Sequence, residues 1–260
     1  LPTVFGEKTV MRLTSKDGLT KPKSALGFDA EQEKVFDNIL SNPHGIILVT
    51  GPTGSGKSTT LYTSLSELNT EDVNIITVED PVEANINGIN QVQVNNKADM
   101  TFAAALRSIL RQDPDIIMIG EIRDGETAGI AVQAAITGHL VVSTLHTNSA
   151  ASTITRLIDM GIESYIAGDA VVGVIAQRLV RRLCTTCKQP RLVEDEERVQ
   201  LGIPADEEDV IIYEPQGCPL CNDTGYAGRI GVYEMMPVSR ELQAVIASGA
   251  TADVIEKQAL

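Results

Sequence analysis

A chain of 260 residues can bury a large core as one or two domains. Hydrophobic residues make up 43%, but no apolar run nears the ~20 residues of a membrane span and no basic-then-apolar signal pattern opens the chain, so the reading is a soluble globular protein. A net charge of −14 argues against a broad phosphate-backbone surface, and four cysteines confined to residues 184–221 fit a metal site in a reducing cytoplasm better than a disulfide framework.

In chain order, residues 1–13 read as a strand or two. Because the sequence opens on Leu1 and runs into an extended-looking TVMRL (9–13), these residues are expected to be the tail of a truncated N-terminal subdomain, with any membrane tether upstream. TSKDGLTKPKSA (14–25) is polar, with a Gly, a Pro and three Lys, and residues 14–28 read as a linker. Asp29 and Gln32 make a capping-box start to a helix whose Val35, Phe36, Ile39 and Leu40 share one face. GIILVT (45–50) reads as a fully buried strand, and STTLYTSLSELN (58–69) as a helix with Leu61, Leu65 and Leu68 on one stripe.

Between that strand and helix lies GPTGSGKST (51–59). Gly51, Gly54 and Gly56 carry no side chain, so the loop can turn tightly and aim successive backbone N–H groups inward as an anion nest. Lys57 adds a cation, Ser58 a hydroxyl suited to magnesium, and the following helix the positive end of its dipole. Together these fit a triphosphate. The pattern G-x-x-x-x-G-K-S arises by chance on the order of one time in a hundred in such a chain. A merely structural Gly-rich turn is the competing reading, and the strand–loop–helix context argues against it.

VNIITVED (73–80) reads as a second buried strand and NQVQVN (90–95) as an alternating one, and Thr101 caps a helix over 102–112 that carries Arg107 and Arg111 on one face. DIIMIGE (115–121) and LVVSTLH (140–146) are further apolar strands, with the alanine-rich helix GETAGIAVQAAI (125–136) between them. Strands alternating with helices predict an α/β fold with a mainly parallel sheet. From Ser149 to about Leu183 the apolar spacing fits two more helices, the acidic stretch 194–209 a solvated loop or short helix, and TADVIEKQAL (251–260) a helix.

Ligands of such sheets bind at the carboxyl ends of the strands. The phosphate loop follows the first strand, Glu79 and Asp80 end the second, Glu121 the third and His146 the fourth. A carboxylate there can hold magnesium or orient the water that attacks the γ-phosphorus. One strand-end acid alone could equally be a cap or a surface charge; Glu79, Glu121 and His146 together behind a phosphate loop point to catalysis. His139 sits at the other end of its strand, where a structural histidine is an equal reading.

Cys184-x-x-Cys187 and Cys218-x-x-Cys221, separated by 30 residues, can bring four thiolates to one tetrahedral ion, with zinc the best fit and no position open for water. Redox pairs or free thiols are the alternatives.

TGPTGSGKST, TVEDPVE (77–83), LRQDPDIIMIGEIRD (110–124) and TGHLVVSTLHTN (137–148) closely resemble, in order and spacing, the Walker A, Asp box, Walker B and His box of the type II secretion and type IV pilus assembly ATPases. The resemblance implies a RecA-like P-loop core over residues 29–183, a tetracysteine zinc-binding insertion over 184–233 and a C-terminal helical segment over 234–260 that lacks the family's last few dozen residues. It implies an ATP-hydrolysing motor that powers pilin or pseudopilin assembly: a cytoplasmic homo-hexamer, peripheral at the bacterial inner membrane through a platform protein and a cytoplasmic adaptor. The tetracysteine insertion favours assembly over retraction. Carried over by box, Gly51, Pro52, Thr53, Gly54, Ser55, Gly56, Lys57, Ser58 and Thr59 bind ATP, with Ser58 on magnesium; Glu79 is the water-orienting base, Glu121 the Walker B acid and His146 a γ-phosphate sensor. Arg12 matches an arginine that acts on a nucleotide site, and Arg107, Arg111, Arg123 and Arg229 also fall at family arginine positions, with Arg229 assigned to nucleotide binding. A nucleic-acid motor would want basic channels and stacking aromatics, yet aromatics are 3% and Trp is absent, so no nucleic-acid partner is expected. An interaction module with a degenerate site would have lost Lys57 or a strand-end acid, and neither is lost.

Overall fold

The computed structural model describes residues 2–9, 11, 20–204, 207 and 209–260. Arg12 and residues 14–19 of the expected linker lie outside the described residues. The chain divides into two compact units, Leu1–Gln177 with Tyr233–Leu260, and Arg178–Val232. The division falls before residue 184, where the cysteine segment was expected to begin.

The first unit opens with a small antiparallel pair, β1 (Pro2–Thr3) and β2 (Gly6–Glu7). Helix α1 (Ala30–Leu40) starts at Asp29, whose side chain accepts the N–H groups of Glu31 and Gln32 while its own N–H is taken by Gln32. There follow β3 (Gly45–Thr50), α2 (Lys57–Leu68), β4 (Ile75–Glu79), β5 (Asn90–Gln93), α3 (Phe102–Ile109), β6 (Ile116–Ile119), α4 (Gly125–Ile136), β7 (Leu140–Leu145), α5 (Ala150–Asp159), α6 (Ser164–Ala170) and β8 (Val171–Leu183). After β9 (Gln189–Leu192), α7 (Asp195–Leu201), β10 (Ile211–Glu214) and β11 (Tyr226–Pro237), the chain ends in α8 (Arg240–Ala247) and α9 (Ala252–Ala259).

The main sheet has the order β11-β8-β3-β7-β6-β4-β5, and its pairs from β8 to β5 are parallel. Successive side chains of a strand point to opposite faces, and here both faces are apolar. Ile46 and Leu48 of β3 join a core with α3 to α6, α8 and α9, whereas Ile47 and Val49 join one with α1 and α2. Burial on both faces is why these strands read as unbroken apolar runs.

One expectation is corrected. The end of the segment assigned to two helices is not helical: α5 and α6 stop at Ala170, and Val171–Leu183 is a strand parallel to β3. Apolar runs this short carry no period that separates a buried strand from a buried helix, and the β-branched Val171, Val172, Val174 and Ile175 tip the balance toward the sheet.

In the second unit β9 and β10 pair antiparallel, from Leu192 opposite Ile211 to Gln189 opposite Glu214. The Arg191 guanidinium holds both oxygens of Glu197 on α7, which draws that carboxyl down to about 2. The buried cluster is small: Cys184, Cys187 and Cys221, with Cys218 and Ala227 packed against them. Among the described residues no helix is long and apolar enough to cross a membrane.

Candidate functional site

Parallel register brings the strand ends to one rim: Thr50 of β3 lies opposite Leu145 of β7, and Ile119 of β6 opposite Val78 of β4. The loop after β3 turns on three glycines of positive φ, Gly51 (141°), Gly54 (80°) and Gly56 (89°). It delivers the chain into α2, whose N-cap Gly56 offers no side-chain acceptor and whose first turn holds no acid. The leading N–H groups of α2 therefore keep the donors that an anion would take. Lys57 Nζ lies across the loop, donating to the carbonyls of Gly51 (2.9 Å) and Pro52 (3.2 Å). Burial lowers the affinity of that amine for its proton, and the charge of Glu121 works in the opposite sense. Ser55 Oγ is buried without a partner among the described residues. An uncapped helix end, a glycine loop, a lysine and an unpaired buried hydroxyl together fit a polyphosphate.

Two braces unmarked in the sequence hold this loop. Gln177, 2% exposed, donates to the Ser55 carbonyl at 2.6 Å and accepts from Thr60 Oγ1 at 2.7 Å, linking the loop to α2. Thr50 Oγ1 lies 2.6 Å from Thr147 Oγ1 and accepts the Thr147 N–H at 2.9 Å, tying the loop's strand to the segment that carries His146.

Glu121 and His146 come together on the rim. His146 Nε2 is 2.8 Å from Glu121 Oε1, and Arg123 Nε and Nη2 reach Glu121 Oε2 at 2.8 and 2.7 Å. Arg107 instead pairs with Glu126 at 2.6 Å, and Arg111 is exposed. His139 Nδ1 lies 3.0 Å from the Ala134 carbonyl. That carbonyl can only accept, so the ring donates there and has a structural partner at the far end of β7.

Glu79 is placed differently from the expectation. It is 4% exposed, and its carboxylate accepts from Tyr62 Oη (2.5 Å), Thr77 Oγ1 (2.6 Å) and Gln91 Nε2 (3.1 Å). An acid so enclosed is poorly disposed to take up an attacking water. The acid beside the phosphate loop is Glu83, exposed, with Oε1 accepting from Ser58 Oγ at 3.2 Å. A hydroxyl and a carboxylate oxygen side by side suit a hard cation such as magnesium. The strand-end rule chose Glu79 because it closes β4; Glu83 lies four residues on, in irregular chain that periodicity does not position.

In the second unit Arg229 lies exposed on β11. All four cysteines meet there, their sulfurs within 4.8 Å of one another. Cys184 and Cys218 are 4.0 Å apart, Cys187 and Cys221 3.8 Å, Cys218 and Cys221 3.7 Å. A tetrahedron of sulfurs about 2.3 Å from a central zinc has edges of about 3.8 Å, so the spacing suits a metal. Burial opposes ionisation of Cys221, yet N–H donors from Cys218 (3.2 Å) and Gly225 (3.3 Å) draw its thiol down to about 6, whereas burial pushes the Cys187 thiol up to about 12. A thiolate is the form that binds metal.

Comparison with known proteins accords with this arrangement. A family model described as Type II/IV secretion system protein matches residues 1–260. The chain is 53% identical over 257 residues to Type II secretion system ATPase E of Vibrio cholerae, covering 99% of this chain and 51% of that protein. It is 52% identical over 261 residues to Type IV pilus assembly ATPase PilB of Myxococcus xanthus, covering 100% of this chain and 46% of that protein. The chain thus spans about half the length of the curated relatives it matches. Among solved structures, the pilus retraction motor PilT with bound ADP superposes with a TM-score of 0.69 at 30% identity, covering 94% of this chain and 61% of that one. Matched end to end by that description and about half identical to proteins that bear it, the chain belongs to the Type II/IV secretion system protein family.

Proposed function

We propose that this chain is the ATP-hydrolysing core of a motor that powers pilin or pseudopilin assembly in a type IV pilus or type II secretion machine. The observation that carries the proposal is the rim itself, where the glycine loop with Lys57 and Ser58 stands beside Glu83 and the Glu121–His146 pair. Lys57 and the first N–H groups of α2 bind the phosphates of ATP, and Ser58 holds magnesium. Magnesium, when bound, neutralises charge on the phosphoryl oxygens. Glu83 orients the attacking water, the role first expected of Glu79. Glu121 acts through the metal or its water, while His146, fixed by Glu121, faces the γ-phosphate.

The relatives of 52–53% identity are named for secretion and for pilus assembly, the retraction motor stands at 30%, and this favours assembly. The proposal includes zinc on the four cysteines and a ring of six copies, with Arg12 and Arg229 at nucleotide. It includes cytoplasmic placement against the inner membrane through a platform protein and an adaptor. Support for these parts comes from the cysteine spacing and the family. Hydrolysis of ATP by the complete protein is the test: Lys57→Ala should abolish it, and undiminished turnover in that variant overturns the proposal.

A further inference from the structure

We infer that Tyr62 and Gln91, both anchored on the buried Glu79 carboxylate, clamp the segment after β4 and thereby position Glu83 against Ser58; the inference rests on the role of Glu83 proposed above.

A phenolic hydroxyl has one proton and two lone pairs, and an ionised carboxylate can only accept. Glu79 therefore dictates which way the Tyr62 hydroxyl points: its proton goes to Glu79 Oε2 at 2.5 Å, and its lone pairs accept the N–H groups of Glu83 (3.1 Å) and Ala84 (3.4 Å). Burial first, then the hydrogen bond to Glu79, raises the phenol above its ordinary value, so it stays a neutral donor. Gln91 works from the other side. Its Nε2 donates to Glu79 Oε1 (3.1 Å) and to the Ala84 carbonyl (3.0 Å), and its Oε1 accepts the Ile86 N–H (2.8 Å). Four backbone groups between Glu83 and Ile86 are thus held by two side chains that share one carboxylate.

The segment needs such a clamp because it belongs to no helix or strand, and nothing periodic fixes where Glu83 sits. Tyr62 stands four residues after Ser58, hence on the same face of α2. One face of the phosphate-loop helix accordingly engages Glu83 twice, its side chain through Ser58 and its backbone through Tyr62. Tyr62, Gln91 and Glu79 are positioning residues: they set the distance between an acid and the hydroxyl beside the phosphates, and a displacement of about 1 Å at such a site can cost about 100-fold in rate.

The test uses the complete protein with Tyr62→Phe, Gln91→Leu, Glu83→Gln and the double variant Tyr62→Phe with Glu83→Gln. Steady-state hydrolysis, affinity for a fluorescent ADP analogue and amide hydrogen exchange over residues 83–86 without nucleotide are the readouts. Tyr62→Phe and Gln91→Leu should each lower kcat about 10- to 100-fold, leave KM and ADP affinity within about 2-fold, and speed exchange at residues 83–86. Added to Glu83→Gln, Tyr62→Phe should cause no further loss. Should Tyr62→Phe fail to fold, Gln91→Leu decides alone. Normal kcat in the clamp variants while Glu83→Gln is impaired overturns the clamp only, and normal kcat in Glu83→Gln overturns the role of Glu83. The same fold loss from Tyr62→Phe with and without Glu83 intact shows a general structural role and also overturns the clamp.

Discussion

His146 Nε2 stands 2.8 Å from one oxygen of Glu121, and Arg123 takes the other at 2.7 Å. The carboxylate is therefore held between two cationic or donor groups, just past the end of β6, which β7 separates from the strand that carries the phosphate loop. Glu121→Gln keeps the shape, removes the charge and presents an amide N–H₂ to one of two donors. Nucleotide binding should persist while turnover falls by roughly 100- to 1,000-fold, as when one electrostatic contributor to a transition state is removed. Equilibrium binding of ADP alongside steady-state hydrolysis checks this, and near-normal turnover would sink the assignment.

Gln177 supplies a second prediction. Replacing it by Leu leaves the Ser55 carbonyl and the Thr60 hydroxyl without their shared partner in a buried site. Such loss costs about 1–3 kcal/mol for an unsatisfied buried group. Gln177→Leu should lower the unfolding midpoint and weaken nucleotide binding together, because the loop that it braces is the phosphate loop. An unchanged melting curve and affinity would show the brace to be dispensable.

The glycines of the loop should differ in sensitivity. A Cβ at Gly51 would lie 2.3 Å from the Gln177 carbonyl and 2.7 Å from Ser55 Oγ, whereas a Cβ at Gly54 meets nothing within 4 Å. Both positions carry positive φ, which costs an L-residue about 1–2 kcal/mol. Only Gly51→Ala adds a backbone clash, so it should destabilise the protein by clearly more than Gly54→Ala in chemical denaturation. Equal midpoints would contradict this packing.

Removal of metal from the cysteines should act on the second unit. Elemental analysis of protein purified under reducing conditions should find one zinc per chain. Chelation or Cys218→Ser should speed hydrogen exchange across residues 184–232 and leave ADP affinity of the first unit within about 2-fold, since a zinc saturated by four thiolates cannot activate water. Absence of metal refutes the zinc assignment, and loss of ADP binding in a folded Cys218→Ser variant refutes a structural role.

What could be read from residues alone was local in its physics. β3 and α4 begin and end where their residue patterns say, because a buried strand needs an apolar run and the alanine-rich run from Gly125 to Ile136 suits a helix, which the structure caps with Asp124 on the N–H of Thr127. The phosphate loop was equally legible: its glycines are demanded by positive φ, and its lysine and serine by charge and metal chemistry. The paired Cys-x-x-Cys spacing likewise declared its own cluster. Tertiary structure alone decided what depends on distant partners. Val171–Leu183 became a strand because β3 offered it an edge, a choice that short apolar runs leave open. Gln177 braces groups 117 and 122 residues away, a relation with no trace in local pattern. Between Glu79 and Glu83 the sequence had only the rule of strand ends; folding enclosed the first acid among Tyr62, Thr77 and Gln91 and left the second at Ser58, because hydrogen-bond partners, rather than position along a strand, decide which carboxylate remains available for chemistry.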